Sequence, residues 1–197
     1  MAHIVEFATN PRYVPFISFR REERDFLWKP NRLRIPYKPG EVPFQAFLES
    51  GNKTVPDFVP INGFMAACPE VRALIESFEP GVHQFMPVHI RRPRSEKPIF
   101  RLDGRVLEDP YYLFHVITFL DSIWVERSDV ILSEGTSLLG MRPGNYNIVL
   151  HKEITAGHHA WREGRIASTR LLFSDELIAA IDARGFKKLA PHHVSEE

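Results

Sequence analysis

The chain has a single cysteine, Cys68, among its 197 residues. That excludes an internal disulfide and any multi-cysteine metal cluster, and it suits a reducing compartment. It also has no excess of either charge, with 25 Lys plus Arg against 25 Asp plus Glu. The strongly basic balance of a dedicated nucleic-acid binder is therefore missing. Long hydrophobic runs are absent too. The most apolar stretch, Tyr111 to Trp124, is interrupted by His115 and Asp121 and is too short for a bilayer core of roughly 30 Å. The opening Met1-Ala2-His3-Ile4-Val5-Glu6 has neither a basic n-region nor an apolar h-region, so a cytoplasmic location is expected. Gly-x-Ser-x-Gly, Gly-x-x-x-x-Gly-Lys and Gly-x-Gly-x-x-Gly do not occur, which removes the common nucleophile and nucleotide signatures.

Apolar residues at 44% and charged residues at 25% are ordinary globular usage. The length allows a real core without staples, and one domain over 1–197 is expected. Within it, residues 1–55 are expected to form a part rich in proline and aromatics, and the remainder the core. Two stretches of that core say nearly the same thing, around 64–90 and 171–194. In each, an apolar run (Phe64 to Ala67; Leu171 to Phe173) meets a small capping residue, Cys68 or Ser174. An amphipathic helix follows. The first places Val71, Leu74, Ile75 and Phe78 at i, i+3, i+4 and i+7, with Pro69 at the first helical position. The second has Asp175 and Glu176 in its first turn and Leu177, Ile178 and Ile181 facing inward. Gly81 and Gly185 end them, and Pro87 and Pro191 stand six residues further on. Each unit reads strand, helix, strand.

Elsewhere the spacing of prolines between 11 and 60 forbids long helices. Tyr13 to Phe19 alternates as a strand does, and Gln45 to Glu49 is expected to be a helical turn. After Asp109-Pro110 the pattern predicts the longest helix, carrying Leu113, Val116, Ile117, Leu120 and Trp124, apolar nearly all round and hence central. Ile99 to Leu102, Val130 to Leu132, Tyr146 to Leu150 and Arg170 to Phe173 read as strands. Without a regular βαβ rhythm, the class is α+β.

Groups able to carry chemistry are scattered. Nine histidines include His151, the pair His158-His159 and the pair His192-His193, yet no His-Glu-x-x-His exists, and neighbours on a strand point to opposite faces. No metal and no cofactor is expected. Cys68 precedes Pro69 at a helix start, where a cap is its simpler role than a nucleophile. The run Gly157-His158-His159-Ala160-Trp161-Arg162 fits two readings: a binding surface, or a turn followed by a strand with Trp161 in the core. Two basic stretches complete the inventory. Arg20, Arg21 and Arg24 stand among Phe19, Phe26 and Trp28, and Arg91, Arg92 and Arg94 are followed by Lys97. Arginine with aromatics suits a protein interface or single-stranded nucleic acid; a solvated mixed-charge loop is the plain alternative.

Pro56-Asp57-Phe58, the Phe64-to-Cys68 strand and cap, Glu79-Pro80-Gly81-Val82-His83-Gln84-Phe85-Met86-Pro87-Val88, and Tyr111-Tyr112-Leu113 through Asp121 and Ser128 occur in that order. Together they resemble immunity protein family eleven of bacterial polymorphic toxin systems. His159-Ala160-Trp161-Arg162, Phe173-Ser174-Asp175-Glu176-Leu177 and Gly185 look like its C-terminal signature, so the resemblance covers about 56–194. It implies a cytoplasmic, non-enzymatic protein that binds and neutralises a cognate toxin, and it supplies no catalytic residues. The candidate partner-binding residues are Arg20, Arg21, Arg24, Trp28, Arg91, Arg92, Arg94, His158, His159, Trp161 and Arg162. A homodimer is possible, nucleic acid is disfavoured as a partner, and no membrane is expected. The alternative is an enzyme or small-ligand protein using His158, His159, Trp161 and Arg162.

Overall fold

A computed structural model describes residues 1–7, 15–28, 34–49, 51–132, 139–141, 147–166, 170–187 and 189–197. The strands of the first half are β1 (Ala2–Phe7), β2 (Ile17–Ser18), β3 (Gln45–Leu48), β4 (Thr54–Val55), β5 (Phe58–Ile61), β6 (Phe64–Ala67), β7 (Gln84–Arg91) and β8 (Phe100–Arg101). Those of the second are β9 (Tyr111–His115), β10 (Phe119–Leu120), β11 (Val130–Leu132), β12 (Leu139–Met141), β13 (Val149–Leu150), β14 (Ala160–Glu163), β15 (Leu171–Ser174) and β16 (Leu189–Glu196). The α-helices are α1 (Pro69–Phe78), α2 (Lys152–Thr155) and α3 (Asp175–Ala183). The class is mixed α+β.

Two β bodies share a core. One is a closed barrel in the order β2-β3-β7-β9-β6-β5, the other a sheet in the order β10-β14-β15-β1-β16-β13. In each, the two strands joined by a long helix are parallel and leave room for a third between them: β9 runs antiparallel to both β6 and β7, and β1 to both β15 and β16. Helices α1 and α3 pack on one another, α1 also on β6 and β9, α3 also on β15 and β1. Val71, Leu74 and Ile75 of α1 and Leu177, Ile178 and Ile181 of α3 are buried there, each contributing about 1.5–3 kcal/mol. Ser174 Oγ caps α3 by accepting from the Leu177 amide at 3.2 Å, whereas Cys68 at the same place on α1 makes no such bond.

Strand periodicity separates the sheet's two faces. Val5, Ala160, Leu171 and Phe173 join the core shared with the barrel and the helices. Their neighbours Ile4, Trp161 and Leu172 enter a second core with Ile123, Leu150 and Val194.

The barrel closes at one pair, Ile17 against Ile61. What holds it is the β5–β6 hairpin, whose Asn62-Gly63 turn has φ of +46° and +85°, the left-handed conformation that asparagine and glycine tolerate. In that position the Asn62 side chain accepts the Phe19 amide at 2.7 Å.

Two sequence expectations are corrected here. Tyr111 to Trp124 is not a helix: it forms β9 and β10, then a 3-10 turn at Val125–Arg127. β9 is covered on one side by the barrel interior and on the other by α1, with Tyr111, Leu113, Phe114 and His115 all buried. A strand buried on both faces loses its polar alternation and imitates an all-apolar helix. Gln45–Leu48 is likewise strand β3, held between β2 and β7.

Candidate functional site

The barrel order brings the two basic stretches together. Phe47 of β3 pairs with Ser18 of β2 on one side and Arg91 of β7 on the other. Its side chain alternates with the core residues Ala46 and Leu48 and is itself buried, 7% exposed. The Arg20 guanidinium covers the Phe47 ring at 4.9 Å from its centroid, a cation–π contact. Beyond β7 the chain turns back over residues 95–108 and leaves a groove of about 860 Å³. Phe47, Ile90, Ile99 and Leu107 give it an apolar lining, and Arg91, Arg92 and Lys97 a basic one, alongside Glu96 and Glu108.

Several arginines elsewhere are held by carboxylates. Arg72 is paired with Glu76 at 3.0 Å, Arg165 with Glu163 at 3.4 Å, and Arg170 with Glu6 at 3.0 Å. Next to the groove, a cavity of about 410 Å³ at the start of α1 holds Arg101 and Arg105. Both bind Glu70 Oε1, at 2.7 and 3.1 Å, and Arg105 also reaches Asp103 at 2.7 Å. Burial opposes ionisation of Glu70, but the hydrogen bonds from Arg101 and Arg105 outweigh it and hold its pKa down to about 2. Arg20, Arg21, Arg91, Arg92 and Arg94 form no ion pair with any carboxylate among the described residues. Arg21, Arg91 and Arg94 are exposed. Arg92 Nη2 donates to the Asn52 carbonyl at 3.1 Å. Arg24 is turned inward, its Nε and Nη2 donating to the Phe19 carbonyl at 2.9 and 2.7 Å. It fastens the loop. Trp28 closes a 3-10 turn at Asp25–Trp28, and its side chain lies outside the described residues.

The second group of candidates is placed differently. Gly157, at φ +79°, turns the chain into β14. The amides of His159 and Ala160 donate to the Glu79 carboxylate at 3.1 and 2.9 Å. His159 Nδ1 hydrogen-bonds to Ser174 Oγ at 2.9 Å, and its ring meets Phe78 edge-on at 4.8 Å. His158 is half-buried, 3.9 Å from Glu79. Trp161 is 0% exposed and donates from Nε1 to Ser122 Oγ at 3.3 Å. Arg162 is 4% exposed. Of the two readings of this run, burial fits the turn followed by a strand with Trp161 in the core: alternation along β14 sends Trp161 and Arg162, both offered as partner-binding residues, to opposite interior faces. A converging His158/His159/Trp161/Arg162 pocket does not form, since Trp161 and Arg162 leave opposite faces.

Other reactive groups are muted by their surroundings. Burial pushes the Cys68 thiol up to about 12, so it is not a thiolate near neutrality. Burial also pushes the Tyr111 hydroxyl up, and its proton goes to the Pro56 carbonyl at 2.9 Å. Among the described residues no three His, Cys, Asp or Glu side chains converge as a metal site, and no helix is long and apolar enough to cross a membrane.

The basic stretches stand out in the sequence, whereas the groove lining does not. Phe47 and Ile90 carry the signal only once Gln45–Leu48 is recognised as a strand beside β7.

No curated protein matches the sequence. The family model described as Immunity protein family (Imm11) matches residues 17–196, from β2 at the barrel's closure through the last strand of the sheet, beyond the 56–194 that the motifs delimit. The chain therefore belongs to that immunity protein family.

Proposed function

We propose that this protein is an immunity protein that binds and neutralises a cognate bacterial toxin domain in the cytoplasm, by occlusion and without chemistry of its own. Membership of the immunity family over 17–196 carries the reading. The buried, protonated thiol of Cys68 and the dispersal of the 158–162 side chains support its non-enzymatic part. The two strand–helix–strand segments act as like-built halves of one scaffold over 1–197, and function lies on what they do not share. The docking face is the outer barrel surface around Phe47, bearing Arg20, Arg21, Arg91, Arg92 and Arg94.

Co-expression with the toxin encoded beside it tests the proposal. Growth should be rescued, and the two proteins should migrate as one complex on gel filtration. Failure of both would reject it.

A further inference from the structure

The groove beside β7 combines three properties that point to its occupant. Its volume of about 860 Å³ suits several side chains of a partner rather than a single ion. Its apolar lining is largely buried, with Phe47, Ile90 and Ile99 in its floor, and reaches the surface at Val106, which is 47% exposed. Its cations hold no carboxylate among the described residues, although Arg92 donates to the Asn52 carbonyl. An arginine such as Arg101, already bound by Glu70, gains little from a new carboxylate unless the old one leaves. Arg91 and Arg92 have no carboxylate to lose, so an incoming one gains charge-assisted, bidentate hydrogen bonds outright.

Resting on the toxin-binding reading, we propose that this groove receives an acidic loop of the toxin domain. An apolar side chain of the loop sits against Val106 at the groove's mouth, and its carboxylates pair with Arg91, Arg92 and Lys97. A protein loop fits better than nucleic acid because Glu96 and Glu108 line the same groove. They would repel a continuous phosphate backbone, whereas against a loop of mixed chemistry they meet amides or cations and fix register. The one aromatic face present, Phe47, is already covered by Arg20, which leaves no open stacking platform for bases.

The test measures affinity of the full chain for the adjacent toxin domain, inactivated by substitution, in parallel with a short single-stranded thymidine oligomer. Arg91→Glu with Arg92→Glu should weaken toxin binding by about 30-fold or more and lower its salt dependence. Val106→Trp, a change at an exposed position that fills the groove without altering its charge, should weaken it comparably. Arg184→Glu, on the exposed end of α3, should leave it unchanged, and thermal unfolding should show all three variants folded. If wild type binds and both groove variants bind equally well, the groove assignment is overturned while the toxin reading stands. If wild type fails to bind toxin at all, both fall. If the oligomer binds in place of the toxin and the charge reversal abolishes it, the occupant is nucleic acid and the proposal is wrong.

Discussion

The His83 Nε2–H donates to Glu79 Oε2 at 2.7 Å, and both side chains are buried. The same carboxylate accepts the amides of His159 and Ala160, so a residue at the C-terminal end of α1 ties the barrel segment to the start of β14. Burial opposes its charge, but the hydrogen bonds from His83 and the His159 amide prevail and keep its pKa below the ordinary carboxylate value. Replacing Glu79 by alanine leaves three buried donors without an acceptor. The expected loss is about 3–5 kcal/mol, measured by denaturant unfolding. A loss below about 1 kcal/mol would mean that the joint is not a major contributor.

Acid should destabilise the protein in two stages. His115 is buried, and burial lowers its pKa below the ordinary 6.5. The unfolded state therefore binds its proton first, and stability falls as pH drops below about 6.5. Glu70 and Glu79, with pKa values held below 4.5 when folded, contribute stability that is complete above that value. It is lost as pH falls further, for Glu70 through about 2. His115→Phe should flatten the first stage and leave the second, and Glu70→Gln should leave the first and diminish the second, with Glu79 carrying the remainder. Unfolding midpoints measured from pH 7 downward decide this.

Asn62 occupies a left-handed turn position and accepts the Phe19 amide next to the single pair that closes the barrel. Asn62→Ala strains the turn and orphans that amide, for a combined cost of about 2 kcal/mol. Asn62→Gly relieves the strain without restoring the acceptor and should cost about half as much. Equal stabilities for the two variants would show that the hydrogen bond alone matters.

Cys68 should resist thiol reagents in the native protein and react fully once unfolded, since it is buried with a pKa near 12. Cys68→Ala should still neutralise toxin. Rapid labelling of native protein, or lost protection by the variant, would give Cys68 a functional role beyond its place in the fold.

Much of this structure is legible in the chain, and what is not has a common cause. Both long helices announce themselves through a stripe of apolar residues and a following glycine, because each faces a core on one side only. Asn62-Gly63 between apolar runs is an equally local hairpin signal. β9 is hidden because burial on both faces erases the alternation by which strands are recognised, and β3 because four residues carry too little pattern. The site follows the same rule. Arg20 and Arg91 are conspicuous one at a time, but their convergence on Phe47 depends on β2, β3 and β7 being neighbours, a long-range pairing that no local pattern encodes. Trp161 and Arg162 show the converse: polar and aromatic residues in a short run suggest a surface, while strand alternation drives them into two interiors.

Neutralisation by occlusion is tested most directly by titrating active toxin domain with this protein and recovering both afterwards. Inhibition should be complete at one equivalent, with the toxin's mass unchanged and its activity restored when the complex is dissociated. Inactivation by a small fraction of an equivalent, or a toxin recovered with altered mass, would contradict the account and make this protein an enzyme.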